Sequence, residues 1–263
     1  KKKQSNLKRE APSRLSLENK ENRHPRQHNH HQLLHHKIDD EVDYNAVVQD
    51  RRALLRLMKS CGKEKDLMRA RRIHNHLLQK GLFSKDVYVE TGLLSMYAKC
   101  GALEKAQRVL KELPDQNRNI VSWNALIGGY AQEGKGRDAL HCFEQMVDEN
   151  ITPDAVTFIS CLKACGDRGD TKKIGEFHAE ISRRGFLERD VTIGNALVDM
   201  FGKCASLPDA RNLFSKMDWP NVVTWSALMG SCAENGSFKE VLYLFHRMQG
   251  YDIKPDRIVF LSV

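Results

Sequence analysis

Apolar residues recur with a helical period along most of the chain. Trp123, Leu126, Ile127 and Tyr130 fall at offsets 0, 3, 4 and 7, which sets all four on one face of a helix. Gly134 and Gly136 interrupt that helix. A second helical run follows, with Leu140, Phe143 and Val147 on one face flanked by Ala139 and Met146, and it stops before ITPD, where Pro153 cannot continue a helix interior. The same arrangement returns 102 positions later as Trp225, Leu228, Met229 and Cys232, then Val241, Leu242, Phe245 and Met248, closed by Pro255. The pattern predicts two short helices joined by a tight turn, used more than once.

The repetition extends across the chain. LMKSCG (57–62) returns as CLKACG (161–166), RIHNHLLQKG (72–81) as EFHAEISRRG (176–185), and MYAKCG (96–101) as MFGKCA (200–205), each displaced by 104. The offset shortens to 102 because the first copy holds two extra residues within PDQNRNIVS, a polar turn where insertions are tolerated. The long period therefore divides into three unlike hairpins of about 36, 31 to 33 and 35 residues. A lone hairpin of this size leaves its apolar stripe in water, so the hairpins must stack and bury a continuous core. The first helix of each unit is expected to line the inner surface, and residues near unit ends are expected to meet at the joints.

Composition adds three constraints. A formal charge of +8 over 263 residues favours an anionic partner, nucleic acid first. Seven cysteines without secreted-protein spacing argue for a reduced compartment and no disulfide framework. No apolar run approaches the length of a membrane span.

The chain opens on Lys1 and stops at Val263 within an unfinished unit, which reads as a fragment of a longer array. Residues 1–38 are polar and basic, with six histidines, and are expected to form a disordered leader. The acidic residues Asp39, Asp40, Glu41 and Asp43 follow, and the periodic pattern begins near Arg51, dividing the chain into a leader (1–50) and an array (51–263). The histidines have no CxxC partner, so a low-complexity tail is the simpler reading than a metal site. Glu10, Glu18 and Glu21 dilute the acid-poor signature of an organelle transit peptide.

VSWNALIGGYAQEGKGRDALHCFEQMVDENITPD, LVDMFGKCASLPDARNLFSKM and TFISCLKACGDRGDTKKIGEFHAEISRRGF resemble the standard, short and long units of the pentatricopeptide repeat proteins, in the variant that alternates the three. The units are 51–86 long, 87–119 short, 120–154 standard, 155–190 long, 191–221 short and 222–256 standard, with a further one begun at 257–263. Tetratricopeptide repeats share Trp123, Leu126 and Tyr130 but place glycine where Ile127 and Met229 stand, and hold a constant length of 34.

The resemblance implies an all-α fold, a right-handed α-solenoid, that binds single-stranded RNA one base per repeat. It assigns base reading to the fifth and last residues of a unit: Thr91 with Asn119, Asn124 with Asp154, Asn195 with Asn221, and Ser226 with Asp256, as readers of A, U, C (or U) and G, with RNA running 5′ to 3′ along the chain. Leu55 and Ile159, at the fifth position of the long units, have no donor or acceptor, so those units are expected to act as spacers. Base packing falls to the second positions Tyr88, Val121, Val156, Thr192 and Val223, while Arg52 breaks that rule and marks the first unit as a cap. Lys99 and Lys203 are candidate phosphate contacts, weighed against solvated surface lysines. The resemblance further implies an organellar transcript in mitochondrion or chloroplast, a role in C-to-U editing or other RNA processing, and other processing factors as partners.

Other chemistry is sparse. Cys161 and Cys165 share a helical face, yet no second pair completes a metal site, and Cys165 matches Cys61 in the repeat, which favours core packing. His74 and His178 are repeat-matched and read as structural. No phosphate loop, nucleophile elbow or triad spacing occurs, and the HxE with later CxxC of a deaminase is absent from these residues, so no enzyme, cofactor, metal or small-molecule substrate is expected. A protein-interaction scaffold using the same groove is the alternative reading, and an enzyme fragment with its site in the groove is a third.

Overall fold

The computed structural model describes residues 50–83 and 86–262. The expected leader, Asp50 apart, lies outside them. Among the described residues there are thirteen α-helices, one 3-10 turn (Asp115–Asn117) and no strand. The helices are α1 Arg51–Glu64, α2 Leu67–Gln79, α3 Val87–Lys99, α4 Leu103–Glu112, α5 Ile120–Gln132, α6 Gly136–Asp148, α7 Ala155–Gly166, α8 Thr171–Arg183, α9 Val191–Lys203, α10 Leu207–Lys216, α11 Val222–Glu234, α12 Phe238–Gly250 and α13 Arg257–Ser262.

Odd and even helices differ in what they touch. Each odd helix packs against the odd helices before and after it, from α1 to α13, while each even helix packs on the odd helix of its own hairpin and, from α2 to α10, on the next. The result is an α-solenoid of two helical rows. Its core is continuous along the odd row: α1 buries a single stripe of Leu54, Met58 and Cys61, while in α5 Trp123, Leu126, Ile127, Tyr130 and Ala131 are all buried, over much of the helix circumference.

The even helices bury a narrower stripe, and not the one expected. In α6 the buried residues are Ala139, Cys142 and Met146; Leu140 and Phe143 are half-buried and Val147 is exposed. The later copy repeats this with Val241, Leu244 and Met248 inside and Leu242 exposed. Phe143 then reaches sideways to the next hairpin, its ring edge-on to Phe177 at 5.2 Å.

The odd helices come close where a small residue allows it. A Cβ at Gly129 would sit 2.7 Å from Leu103 Cδ2 and 3.3 Å from Ala98 Cβ, so α3 and α5 meet across an Ala98–Gly129 pair. In the later copy the pair is exchanged: Gly202 of α9 faces Ser231 of α11, whose side chain occupies the space a Cβ on Gly202 would need. One helix or the other gives up its side chain, and the spacing is kept.

Candidate nucleic-acid interface

The site is built from the start of each odd helix. An isolated helix end exposes four backbone N–H groups, and here a side chain from the preceding residue accepts from them. Asp50, Asp86, Asn119, Asp154, Asp190 and Asn221 cap α1, α3, α5, α7, α9 and α11, and Asp256 accepts from Val259 N at 2.9 Å in α13. The residues proposed to end the units are therefore helix caps, each held in place by the backbone it stabilises.

The second residue of each odd helix, just past the cap, points into solvent. Tyr88, Val121, Val156, Val223 and Ile258 are 62, 58, 56, 51 and 60% exposed, and Arg52 and Thr192 are exposed too. Because odd helices pack in succession, these residues form a row, one per hairpin. Ile258 was missed by sequence reasoning, although it stands 102 positions after Val156. The fifth residue lies three positions further on, hence on the same face one turn along. An apolar side chain, a polar side chain and the cap of the following helix are thus brought to one joint by Tyr88, Thr91 and Asn119, by Val121, Asn124 and Asp154, and by Val223, Ser226 and Asp256.

Two of the four expected pairs are in direct contact. Asn124 Nδ2 donates to Asp154 Oδ1 at 3.0 Å, and Asn195 Nδ2 donates to Asn221 Oδ1 at 3.3 Å. Both contacts include a threonine of the next helix: Thr157 Oγ1 lies 2.6 Å from Asn124 Oδ1, and Thr224 Oγ1 lies 2.6 Å from Asn195 Oδ1. Sequence reasoning missed these threonines. The other two pairs do not touch. Thr91 Oγ1 is buried without a hydrogen-bond partner, and the Ser226 hydroxyl turns back to the carbonyls of Val222 and Val223. Leu55 and Ile159 are half-buried aliphatics packed on the core.

Asp154 is the electrostatic anchor of its joint. Burial opposes its charge, yet hydrogen bonds from the Thr157 backbone, the Asn124 amide and the Val156 backbone lower its pKa. It remains a carboxylate, an acceptor only, at neutral pH.

At the first joint these groups surround a groove of about 450 Å³ lined by Leu55, Tyr88, Thr91, Lys99, Asn119 and Val121 among others. The Arg51 guanidinium lies 5.3 Å from the Tyr88 ring centroid. The two candidate phosphate lysines differ. Lys203 is paired with Asp199 at 2.7 Å, whereas Lys99 has no ion pair among the described residues and stands in the groove.

The remaining candidates pack. Cys161 and Cys165 are fully buried, and burial raises both thiol pKa values, that of Cys165 to about 12. His74 Nδ1 is 3.0 Å from the Tyr97 hydroxyl, and His178 sits edge-on to Phe201, with burial lowering the pKa of each imidazole. Among the described residues no cluster of three His, Cys, Asp or Glu side chains could hold a metal ion, and no helix is long and apolar enough to cross a membrane.

Comparison with known proteins places these features in a wider set. A family model described as "PPR repeat family" matches residues 118–167, and one described as "PPR repeat" matches 91–117 and 223–253. A pentatricopeptide repeat-containing protein of Arabidopsis thaliana is 37% identical over 203 residues, 77% of this chain and 29% of that protein. A second from the same plant, named chloroplastic, is 38% identical over 199 residues, 76% of this chain and 24% of its own length. A third, named mitochondrial, is 31% identical over 220 residues, 83% of this chain and 46% of its own. The chain thus spans less than half the length of each. Among solved structures, that of the pentatricopeptide repeat protein PPR10 in complex with an 18-nt psaJ RNA element aligns over 90% of this chain and 40% of that one, with a TM-score of 0.59 at 16% identity. That likeness is one of fold.

Proposed function

Because the chain belongs to the pentatricopeptide repeat family, we propose that it binds single-stranded RNA, with one base held at each reading joint. The observation that carries this is the hydrogen-bonded pair Asn124–Asp154, with its counterpart Asn195–Asn221, set beside a row of exposed apolar side chains. An unstacked base has two apolar faces and one polar edge. The row supplies surfaces for the faces, and the pairs supply partners for the edge.

The free atoms at each joint suggest which base fits. Asn124 keeps one unused N–H, and Asp154 keeps Oδ2, so this joint offers a donor beside an acceptor. Uracil presents a carbonyl beside N3–H and matches; cytosine N3 is an acceptor and would face a carboxylate. At the second pair Asn221 Oδ1 is occupied by Val223 N and Thr224 N, which turns its NH₂ outward to donate to cytosine N3 or to a uracil carbonyl. The shorter Thr91 and Ser226 leave room for purines. Asn119 then suits adenine, and the Asp256 carboxylate suits the donor edge of guanine. The long units, with Leu55 and Ile159, pass over a base without reading it. The order gives 5′-A-U-N-C-G-3′, with U tolerated in place of C.

The target we propose is an organellar transcript, in line with relatives named chloroplastic and mitochondrial. The alternation of long, short and standard units favours a role in directing C-to-U editing or another processing step, in company with other RNA-processing factors.

The test is a base swap at one joint. Asn124→Thr replaces an amide with a shorter hydroxyl beside Asp154, and the apolar face of α5 is untouched. Binding curves against four RNAs differing only at the facing base should move the preference from U to G by about 1–3 kcal/mol, with neighbouring positions unchanged. Equal losses on all four RNAs, with the fold intact, would refute reading by Asn124.

A further inference from the structure

Thr157 and Thr224 stand third in their helices, where a hydroxyl is expected to do no more than complete a capping box. Their contacts go further. Thr157 Oγ1 accepts from Asp154 N at 3.1 Å and has a single proton to give. Asp154 Oδ1, 2.9 Å away, already receives Thr157 N and Asn124 Nδ2. Asn124 Oδ1, at 2.6 Å, is the shorter contact and has no other donor, so the proton goes there.

This fixes the orientation of the Asn124 amide. Turning it over would set its oxygen against the Asp154 carboxylate at the present 3.0 Å and lose the bond that now spans that gap. With Nδ2 on the cap and Oδ1 on the threonine, the amide plane is held at both ends, and a single N–H is left for the base. Both threonines are fully buried, so water has no access with which to replace the hydroxyl.

The second joint repeats the arrangement with a different cap. Thr224 Oγ1 accepts from Asn221 N at 2.9 Å and lies 2.6 Å from Asn195 Oδ1, while Asn195 Nδ2 donates to Asn221 Oδ1. The other two joints supply a contrast. Where the fifth residue is Thr91, the third residue of the next helix is Ser122, which bonds only to Asn119; where it is Ser226, that residue is Val259, which has no hydroxyl. The threonine bridge accompanies asparagine at the fifth position in both joints that have one.

We propose that Thr157 and Thr224 are positioning residues for base selection: from the following unit, each locks the amide of the asparagine that meets the base. The inference rests on the base-reading function proposed above. It makes selectivity at one joint depend on three residues, the third contributed by the next unit.

The test uses the whole chain and two sets of four single-stranded RNAs, one varying only the base facing Asn124 and the other only the base facing Asn195. Thr157→Val keeps the shape, and its backbone N–H still bonds to the Asp154 cap. The discrimination of U from the other bases should fall about tenfold, the worth of one base-edge contact, while discrimination at the joint of Asn195 is unchanged. Thr157→Ser should restore it. A mere capping role would lower the melting temperature and leave discrimination intact, and that result would overturn the proposal. If Thr157→Val does not fold, Thr224→Val at the second joint decides by the same criteria. A wild-type chain that shows no base preference would overturn the reading function itself, and it would do so before any variant is made.

Discussion

The last residue of each unit serves the helix before it serves any ligand. Asn119, Asp154, Asn221 and Asp256 are chosen from the few side chains that accept from a helix N-terminus, and that requirement limits what can stand at the joint. Asn and Asp both satisfy the cap, yet they differ in what they leave over: a donor in one case, an acceptor in the other. On the proposed reading, selectivity could therefore change at these positions while the cap is kept. The caps were legible in the sequence by place, as Asn119, Asp154, Asn221 and Asp256 at the unit ends, though as base readers and not as helix caps. The threonine bridges were not, because Thr157 and Asn124 are 33 residues apart and no periodicity links them. Glu90 was also hidden. It stands in α3 where Trp123 and Trp225 stand in theirs, fully buried, with Asn117 Nδ2 donating to Oε2 at 3.0 Å and Oε1 without a partner. Burial raises its pKa above the ordinary 4.5. A carboxyl whose pKa is higher folded than unfolded binds its proton more tightly in the fold, so the contribution of Glu90 to stability is fully present below its unfolded value and is lost as the pH rises through the folded one. Glu90→Gln should be more stable than wild type at pH 7 and should lose that slope; denaturant titrations at a series of pH values would show it, and an unchanged slope would exclude Glu90 as its source.

At the scale of the helix, the odd members were readable because their apolar stripe is wide and built from large residues. Trp123, Leu126, Ile127 and Tyr130 are inside as their spacing required. The even members misled for a physical reason. Hydrophobic size points to Leu140, Phe143 and Val147, but position decides which residues turn inward, and those positions hold Ala139, Cys142 and Met146 in one copy and the larger Val241, Leu244 and Met248 in the other. Size does govern the odd row. Ala98–Gly129 in one copy and Gly202–Ser231 in the other distribute one small side chain across a tight contact in opposite ways. Gly202→Ala should thus destabilise the chain by about 1–3 kcal/mol through overpacking. Adding Ser231→Gly, which recreates the Ala–Gly pair of the first copy, should recover most of that loss. Chemical denaturation of the single and double variants measures it, and additive losses would show that the two positions do not share one contact.

For the molecule as a whole, charge and register act separately. A net charge of +8 draws any nucleic acid, and what it contributes is sequence-independent and screened by salt. Lys99, unpaired in the groove, should carry more of it than Lys203, which Asp199 already neutralises. Lys99→Gln is expected to weaken binding to every RNA alike and flatten the salt dependence, with a smaller effect from Lys203→Gln; salt titrations of both variants compare them, and equal effects would count against the groove as the phosphate path. On the proposed reading, register is what the repeat adds: four reading joints interrupted by one silent long unit would define an order of bases, and order is a property that no single pair or patch possesses. The measurement that tests this most directly is anisotropy binding of the intact chain to oligonucleotides carrying 5′-AUNCG-3′, the same bases in reverse, and the same bases with N moved one place. The ordered sequence should bind at least about tenfold more tightly than either permutation, a gap of about 1.4 kcal/mol; equal affinity for all three would contradict base-by-base reading along the array.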